Sequence, residues 1–308
     1  MKPVVVLVLG CAALLQVAAA QSPAPFPTPL FDAHNCYPYE GKYTDRIDRA
    51  IATGFPVAIE QDIGFFGGEA VVTHTDKTTG TEPTLKQHFF ERVRPIIEKA
   101  LKDNRRDQWP LIVLHFDFKD LKPETLRAVW KVLEQYEPWL ATGTKSADSI
   151  SLQPIAMKPI LVLTEDADEQ EAIFDREVPV GGKLRLFGSA HTKGLTQRAT
   201  NYRRWLNYSW REVEPEGQPK ATEWTPAKAA KLKSIVDNAH KLGYWMRFYT
   251  VDGFTEAENQ GWFQTYNLPS RAAAEIRWNA EIQAGVDLIA SDQYEILSAL
   301  MRQGAKPK

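Results

Sequence analysis

The chain of 308 residues has little cysteine, only Cys11 and Cys36. Cys11 lies in an N-terminal apolar segment; once that segment is removed Cys36 stands alone, and a single cysteine excludes an internal disulfide in any redox compartment. A basic excess is missing too: Lys and Arg number 37 against 39 Asp and Glu, for a net charge of −2. That balance lacks the electrostatic footprint of nucleic-acid binders, and no nucleic-acid partner is expected. No apolar run reaches the roughly 20 residues of a membrane-spanning helix. His-x-His pairs do not occur, which argues against the histidine-rich metal centres of amide and ester hydrolases on barrels. Internal repeats, heptads and long low-complexity segments are absent as well.

What is present fits one packed domain. Hydrophobic residues at 44% and charged residues at 25% are ordinary for a globular chain, which speaks against wholesale disorder. Lys2 precedes an apolar run from Val4 to Leu15, and Ala18, Ala19 and Ala20 come before Gln21, the pattern of a cleavable export signal over residues 1–20. The mature protein is then expected to begin near Gln21, in a secreted or periplasmic location, with no stable membrane span after cleavage. Residues 21–29 form a Pro-rich lead without periodicity, read as a tether onto the domain of residues 30–308.

Short apolar runs alternate with amphipathic stretches through that domain. Eight runs read as strands: Leu30 to His34, Phe55 to Ile63, Leu111 to Phe118, Ile160 to Thr164, Lys183 to Ser189, Trp205 to Trp210, Trp245 to Val251 and Val286 to Ser291. Eight strands alternating with helices predict a single (β/α)8 TIM barrel. Helices are expected over Arg46 to Thr53, Leu85 to Leu101 behind a Thr84/Gln87 capping box, Pro123 to Leu140, Ala227 to Leu242 and Arg271 to Ala284. Gly67 and Gly68 predict a small hairpin leading through Val71, Val72 and Thr73 to His74.

Barrel active sites are built at the C-terminal ends of the strands, so polar residues there carry the functional signal. Strand alternation sends Glu60 and Asp62 to one side of the second strand, and Asp117 and Lys119 to one side of the third. Acids converging on a barrel mouth repel unless a cation lies between them, and all-oxygen ligation suits one divalent cation, Mg²⁺ or Ca²⁺. Each pair also has a plain alternative, a solvated strand end for Glu60/Asp62 and a local ion pair for Asp117/Lys119. His34 and His74 at strand ends supply two imidazoles, the acid and base that phosphodiester cleavage requires. His115 is in phase with Asp117 and either lines the barrel floor or is a core residue; His191 borders the site, while His88 and His240 read as structural.

Taken in order, His34, Glu60-x-Asp62, His74, Asp117-Phe118-Lys119, Tyr249-Thr250-Val251-Asp252 and Gly285-Val286-Asp287-Leu288-Ile289-Ala290-Ser291-Asp292 resemble the phospholipase C-like phosphodiesterase superfamily. That superfamily includes the glycerophosphodiester phosphodiesterases and the spider-venom type sphingomyelinase D. The resemblance implies a TIM barrel with His34 and His74 as acid/base pair, and Glu60, Asp62 and Asp117 as ligands of one cation. It implies Asn35, Lys119, Tyr249 and Asp252 as substrate contacts, Lys119 at the phosphate. Asn35 stands where the glycerophosphodiester branch has arginine and Asp117 where that branch has glutamate, which leans toward the sphingomyelinase-like or uncharacterised fungal and bacterial branches. The expected function is therefore an exported, metal-dependent phosphoric diester hydrolase or cyclising lyase, monomeric, acting on a small-molecule or lipid phosphodiester. The alternative outside enzymology is an exported phosphate- or sugar-binding barrel without turnover.

Overall fold

The computed structural model describes residues 24–304 except 40, 194, 256 and 259–263. The predicted export signal lies outside the described residues. Eight parallel strands form the barrel: β1 (Leu30–Ala33), β2 (Val57–Phe66), β3 (Ile112–Phe118), β4 (Ile160–Thr164), β5 (Phe187–Ser189), β6 (Arg203–Ser209), β7 (Trp245–Tyr249) and β8 (Leu288–Ser291). Each pairs with its neighbours in chain order, and β1 pairs with both β2 and β8, which closes the sheet. The fold is a (β/α)8 TIM barrel, and closure pairs every stave on both sides.

The apolar runs became staves because both faces of a parallel strand are covered, one by the barrel interior and one by helices. Around them lie α1 (Arg46–Ala52), α2 (Glu91–Asp103), α3 (Pro123–Gln135), the short α4 (Asp168–Glu171), α5 (Pro226–Leu242), α6 (Arg271–Ala284) and α7 (Tyr294–Gly304). In α3 the buried residues Thr125, Leu126, Val129 and Leu133 recur at helical spacing, the stripe that packs against the sheet. No helix among the described residues is long and apolar enough to cross a membrane.

Several boundaries differ from the sequence expectation for identifiable reasons. The helix from Pro123 stops at Gln135, and Glu137–Trp139 form a separate 3₁₀ turn; Pro138 supplies no amide donor and restricts the residue before it. The run expected as one strand from Lys183 to Ser189 is divided. Lys183 and Leu184 pair with Gly143 and Thr144 in a small antiparallel ladder, where Lys183 and Arg185 are both drawn to Glu137, and only Phe187–Ser189 enter the barrel. The helix expected from Leu85 opens with a π-turn at Lys86–Phe90; Thr84 Oγ1 accepts the Gln87 amide at 3.2 Å, half of the capping box. The described part of the lead is docked rather than loose: Phe26 is buried, its ring 5.6 Å from that of Trp245 at the start of β7. The helices α4 and α7 had no counterpart among the helices expected from the sequence.

The predicted hairpin is present. Gly67 and Gly68 both take positive φ, 59° and 89°, the two-residue turn that matches strand twist, and Glu69–Val72 folds back antiparallel on β2 with Ile63 opposite Val72. A side chain at Gly64 would meet Thr73 at 2.6 Å. That close approach carries the chain from Thr73, whose amide bonds the Asp62 carbonyl at 3.0 Å, directly to His74.

Candidate active site

The C-terminal ends of the strands surround a cavity of about 330 Å³ lined by His34, Asn35, Tyr37, Glu60, Asp62, His74, Asp117, Lys119, Glu165, Asp166, Asn207, Arg247, Tyr249 and Tyr266. Eight of the nine residues singled out from the sequence are among them; Asp252 is the exception. Register explains the acid cluster: across β2 and β3, Asp62 lies opposite Asp117 and Glu60 opposite His115. One carboxylate oxygen from each of Glu60, Asp62 and Asp117 falls within 4.8 Å of the others.

Each candidate histidine is held by a carboxylate through Nδ1. His34 ends β1, and its Nδ1 lies 2.8 Å from Asp292 Oδ1, just past β8. His74 Nδ1 lies 2.5 Å from Asp62 Oδ2. An Nδ1–H donated to a carboxylate fixes ring and tautomer and makes Nε2 the proton-exchanging nitrogen. Burial lowers the pKa of His34, but Glu60 and the bond to Asp292 outweigh it and bring it up to about 9.

The turn after β1 is specialised to build this corner. Asn35 takes φ 52°, a left-handed conformation that asparagine tolerates better than most residues. There its amide donates to Glu60 Oε2 at 2.8 Å and its side chain donates to Asp292 Oδ1 at 3.0 Å. Tyr37 donates to its side-chain carbonyl oxygen at 2.6 Å. Asn35 thus clamps one of the three clustered acids and the His34 partner together. Arg46 binds Asp292 from behind at 3.0 Å.

The three acids test well against a hard cation. Burial raises the Asp62 pKa to about 6; the His74 hydrogen bond and Lys119 pull it down, while the charges of Asp117 and Glu60 push it up. Burial alone would also raise Glu60, yet His34, Arg247 and His115 hold it well below the usual carboxylate range. An oxygen-only cluster with mutual spacing under 4.8 Å is what Mg²⁺ or Ca²⁺ ligation asks for. Lys119 Nζ sits between two of the acids, 2.9 Å from Asp62 Oδ2 and 2.8 Å from Asp117 Oδ2.

Asp252 is placed one layer back. Its Oδ1 accepts from Ser291 Oγ at 2.5 Å and the Asp292 amide at 2.8 Å, and the residue is buried; it steadies the carboxylate that steadies His34. Two residues earlier, Thr250 has φ 69°, a conformation costly for a β-branched residue. Gln218 Nε2 holds it by bonding both its carbonyl, at 2.8 Å, and its Oγ1, at 2.5 Å. This kink keeps Tyr249 on the cavity wall while Asp252 turns behind it.

Sequence reasoning missed a buried polar ladder beneath the acids. Arg247 on β7, fully buried, binds Asp32 Oδ2 at 2.5 Å and Asn207 Oδ1 at 2.9 Å, with Nη2 3.6 Å from Glu60. Asn207 donates to Glu165 Oε1 at 2.9 Å, and His115 Nε2 lies 2.6 Å from the same oxygen. His115 is thus a barrel-interior residue whose pKa burial lowers and Glu165 raises, the net direction being upward. The sequence does carry a signal for Arg247: a charge inside the apolar run Trp-Met-Arg-Phe-Tyr, in phase with Tyr249. None of the other histidines lines the cavity, but His191 borders it through the lining residue Asp166. His191 is exposed beside Asp166 and Asp168, His240 binds Asp287 at 2.7 Å, and His88 is buried.

No protein-family model and no curated protein matches the chain. Among solved structures, it is similar to two glycerophosphodiester phosphodiesterases of Parabacteroides distasonis. One is 12% identical with a TM-score of 0.49, over 90% of this chain and 98% of the other; the second is 11% identical with a TM-score of 0.45, over 91% and 88%. It is also similar to the phosphatidylinositol-specific phospholipase C of Listeria monocytogenes, at 12% identity and a TM-score of 0.43, over 91% of this chain and 93% of that one.

Proposed function

We propose that the protein is an exported, metal-dependent phosphoric diester hydrolase, or cyclising lyase, that works by paired histidine acid/base catalysis. The observation that carries this reading is the pair of imidazoles, each backed by a carboxylate through Nδ1, on one cavity with three converging acids. Proton transfer at both the attacking and leaving oxygens calls for two such rings. His34 and His74 divide the proton transfers, one ring delivering a proton to the leaving oxygen and the other taking one from the nucleophile.

Glu60, Asp62 and Asp117 would hold the divalent cation, which when bound supplies charge stabilisation for the phosphoryl oxygens. Lys119 adds a point charge for the same oxygens, with Asn35, Tyr249 and Asp252 shaping or supporting the substrate wall. A substrate hydroxyl beside the ester is an effectively intramolecular nucleophile, so with such substrates a cyclic phosphate forms first. The candidate leader over residues 1–20 supports export.

The test is ³¹P NMR of the purified protein with a panel of glycerol-, inositol- and choline-containing phosphodiesters, with Mg²⁺, with Ca²⁺ and with EDTA. Conversion of at least one diester to a monoester or cyclic phosphate, abolished by EDTA, is expected. Shifts that report binding with no conversion of any substrate would replace this reading with that of a phosphate-binding barrel.

A further inference from the structure

We propose that Lys119 is a tethered cation resident in the metal site, so that the divalent ion must expel its ammonium to bind, and the expelled ammonium then serves the phosphoryl group. The inference rests on the cation site proposed above. It starts from position: Lys119 Nζ lies 2.9 Å from Asp62 Oδ2 and 2.8 Å from Asp117 Oδ2, bridging oxygens of two residues that a cation would require. An ammonium and a divalent ion cannot share that space, because both need the same carboxylates and like charges a few ångströms apart repel in a partly buried site.

The local structure permits the exchange. Lys119 follows the last residue of β3, and its amide is anchored to the Ile63 carbonyl at 2.8 Å. The pivot is fixed while the flexible methylene stem carries the head. Its side chain retains 20% exposure and lines the cavity, so the released ammonium stays within it. Without the divalent ion the same charge is engaged by Asp62 and Asp117 rather than by a ligand.

Two properties follow. Lys119 stabilises the metal-free acid cluster and opposes cation binding. Cation and phosphoryl ligand also assist each other beyond direct coordination, and by linkage each raises the affinity of the other by the same factor.

Calorimetric titration of Mg²⁺ and Ca²⁺ into metal-free wild type and Lys119→Met tests this. The variant is expected to bind the cation on the order of 10-fold tighter, and to melt lower than wild type only when metal-free. The gain in inorganic phosphate affinity that saturating cation gives the wild type should shrink in the variant. Equal or weaker cation binding by Lys119→Met overturns the proposal while leaving the metal site standing. Absence of cation binding in both proteins overturns the metal site itself, and this inference with it. A measurement on the wild type alone guards against a variant that does not fold: reductive methylation followed by mass spectrometry should modify Lys119 faster with cation than without. An unchanged rate overturns the exchange.

Discussion

Replacing Arg247 with methionine tests the account of the buried ladder. The guanidinium is 1% exposed and faces Asp32, 1% exposed, at 2.5 Å and Glu60, 5% exposed, at 3.6 Å. Methionine keeps much of the volume and removes the charge, leaving buried Asp32 without its ion-pair partner and Glu60 with one fewer of the charges that hold it. Breaking a buried ion pair from one side costs about 3–5 kcal/mol. At roughly 2–4 °C per kcal/mol for a domain of this size class, the melting temperature should fall by about 6–20 °C. The effect has a pH signature. In the wild type, Glu60 is held well below the usual carboxylate range, so its stabilising contribution is present above the unfolded value of about 4 and disappears as the pH falls through the folded one. In the variant the share of that lowering owed to Arg247 is gone and Glu60 moves upward, while His34, His115 and the Asn35 amide still hold it down. The two stabilities should therefore lie apart at pH 7 and converge as the pH falls below roughly pH 4. Urea unfolding of both proteins in EDTA across that range measures it. A difference below about 1 kcal/mol at pH 7, or one that does not change with pH, would refute charge compensation as the role of Arg247.

Removing either imidazole, His34→Ala or His74→Ala, should lower turnover of a chromogenic phosphodiester by about 10² to 10⁴ while calorimetric cation affinity stays within a few-fold; a collapse of affinity in one variant would recast that histidine as a ligand. Glu281 in α6 is buried with no hydrogen-bond partner for either carboxylate oxygen among the described residues, and burial raises its pKa well above normal. Its carboxyl is tolerated below the unfolded value and destabilises as the pH rises. Glu281→Leu should therefore stabilise by about 1–3 kcal/mol at pH 7, with the gain shrinking toward pH 4 in urea titrations. Protein recovered from the extracytoplasmic fraction should begin near Gln21 by N-terminal mass spectrometry; an intact Met1 on that material would count against the export signal.

Much of the site was legible from alternation alone. The period of two in a strand is set by covalent geometry within a few residues, so Glu60 with Asp62, and Asp117 with Lys119, are assigned to common sides by the order of residues alone. The Gly67-Gly68 pair specified its own turn, and with it the return of His74 toward β2. Pairing register and barrel closure are different in kind, because they depend on the summed packing of all the staves and helices and on no local pattern. Only register sets Asp62 against Asp117, and only closure of β1 on β8 brings His34 to Asp292, 258 residues away. The same holds for the ladder from Asp32 through Arg247, Asn207 and Glu165 to His115, which joins four strands and the residue just past a fifth. The sequence by itself determined eight staves and which side of each strand its polar residues face; the tertiary structure decided which of those residues meet, because contacts between distant strands exist only once the barrel has closed.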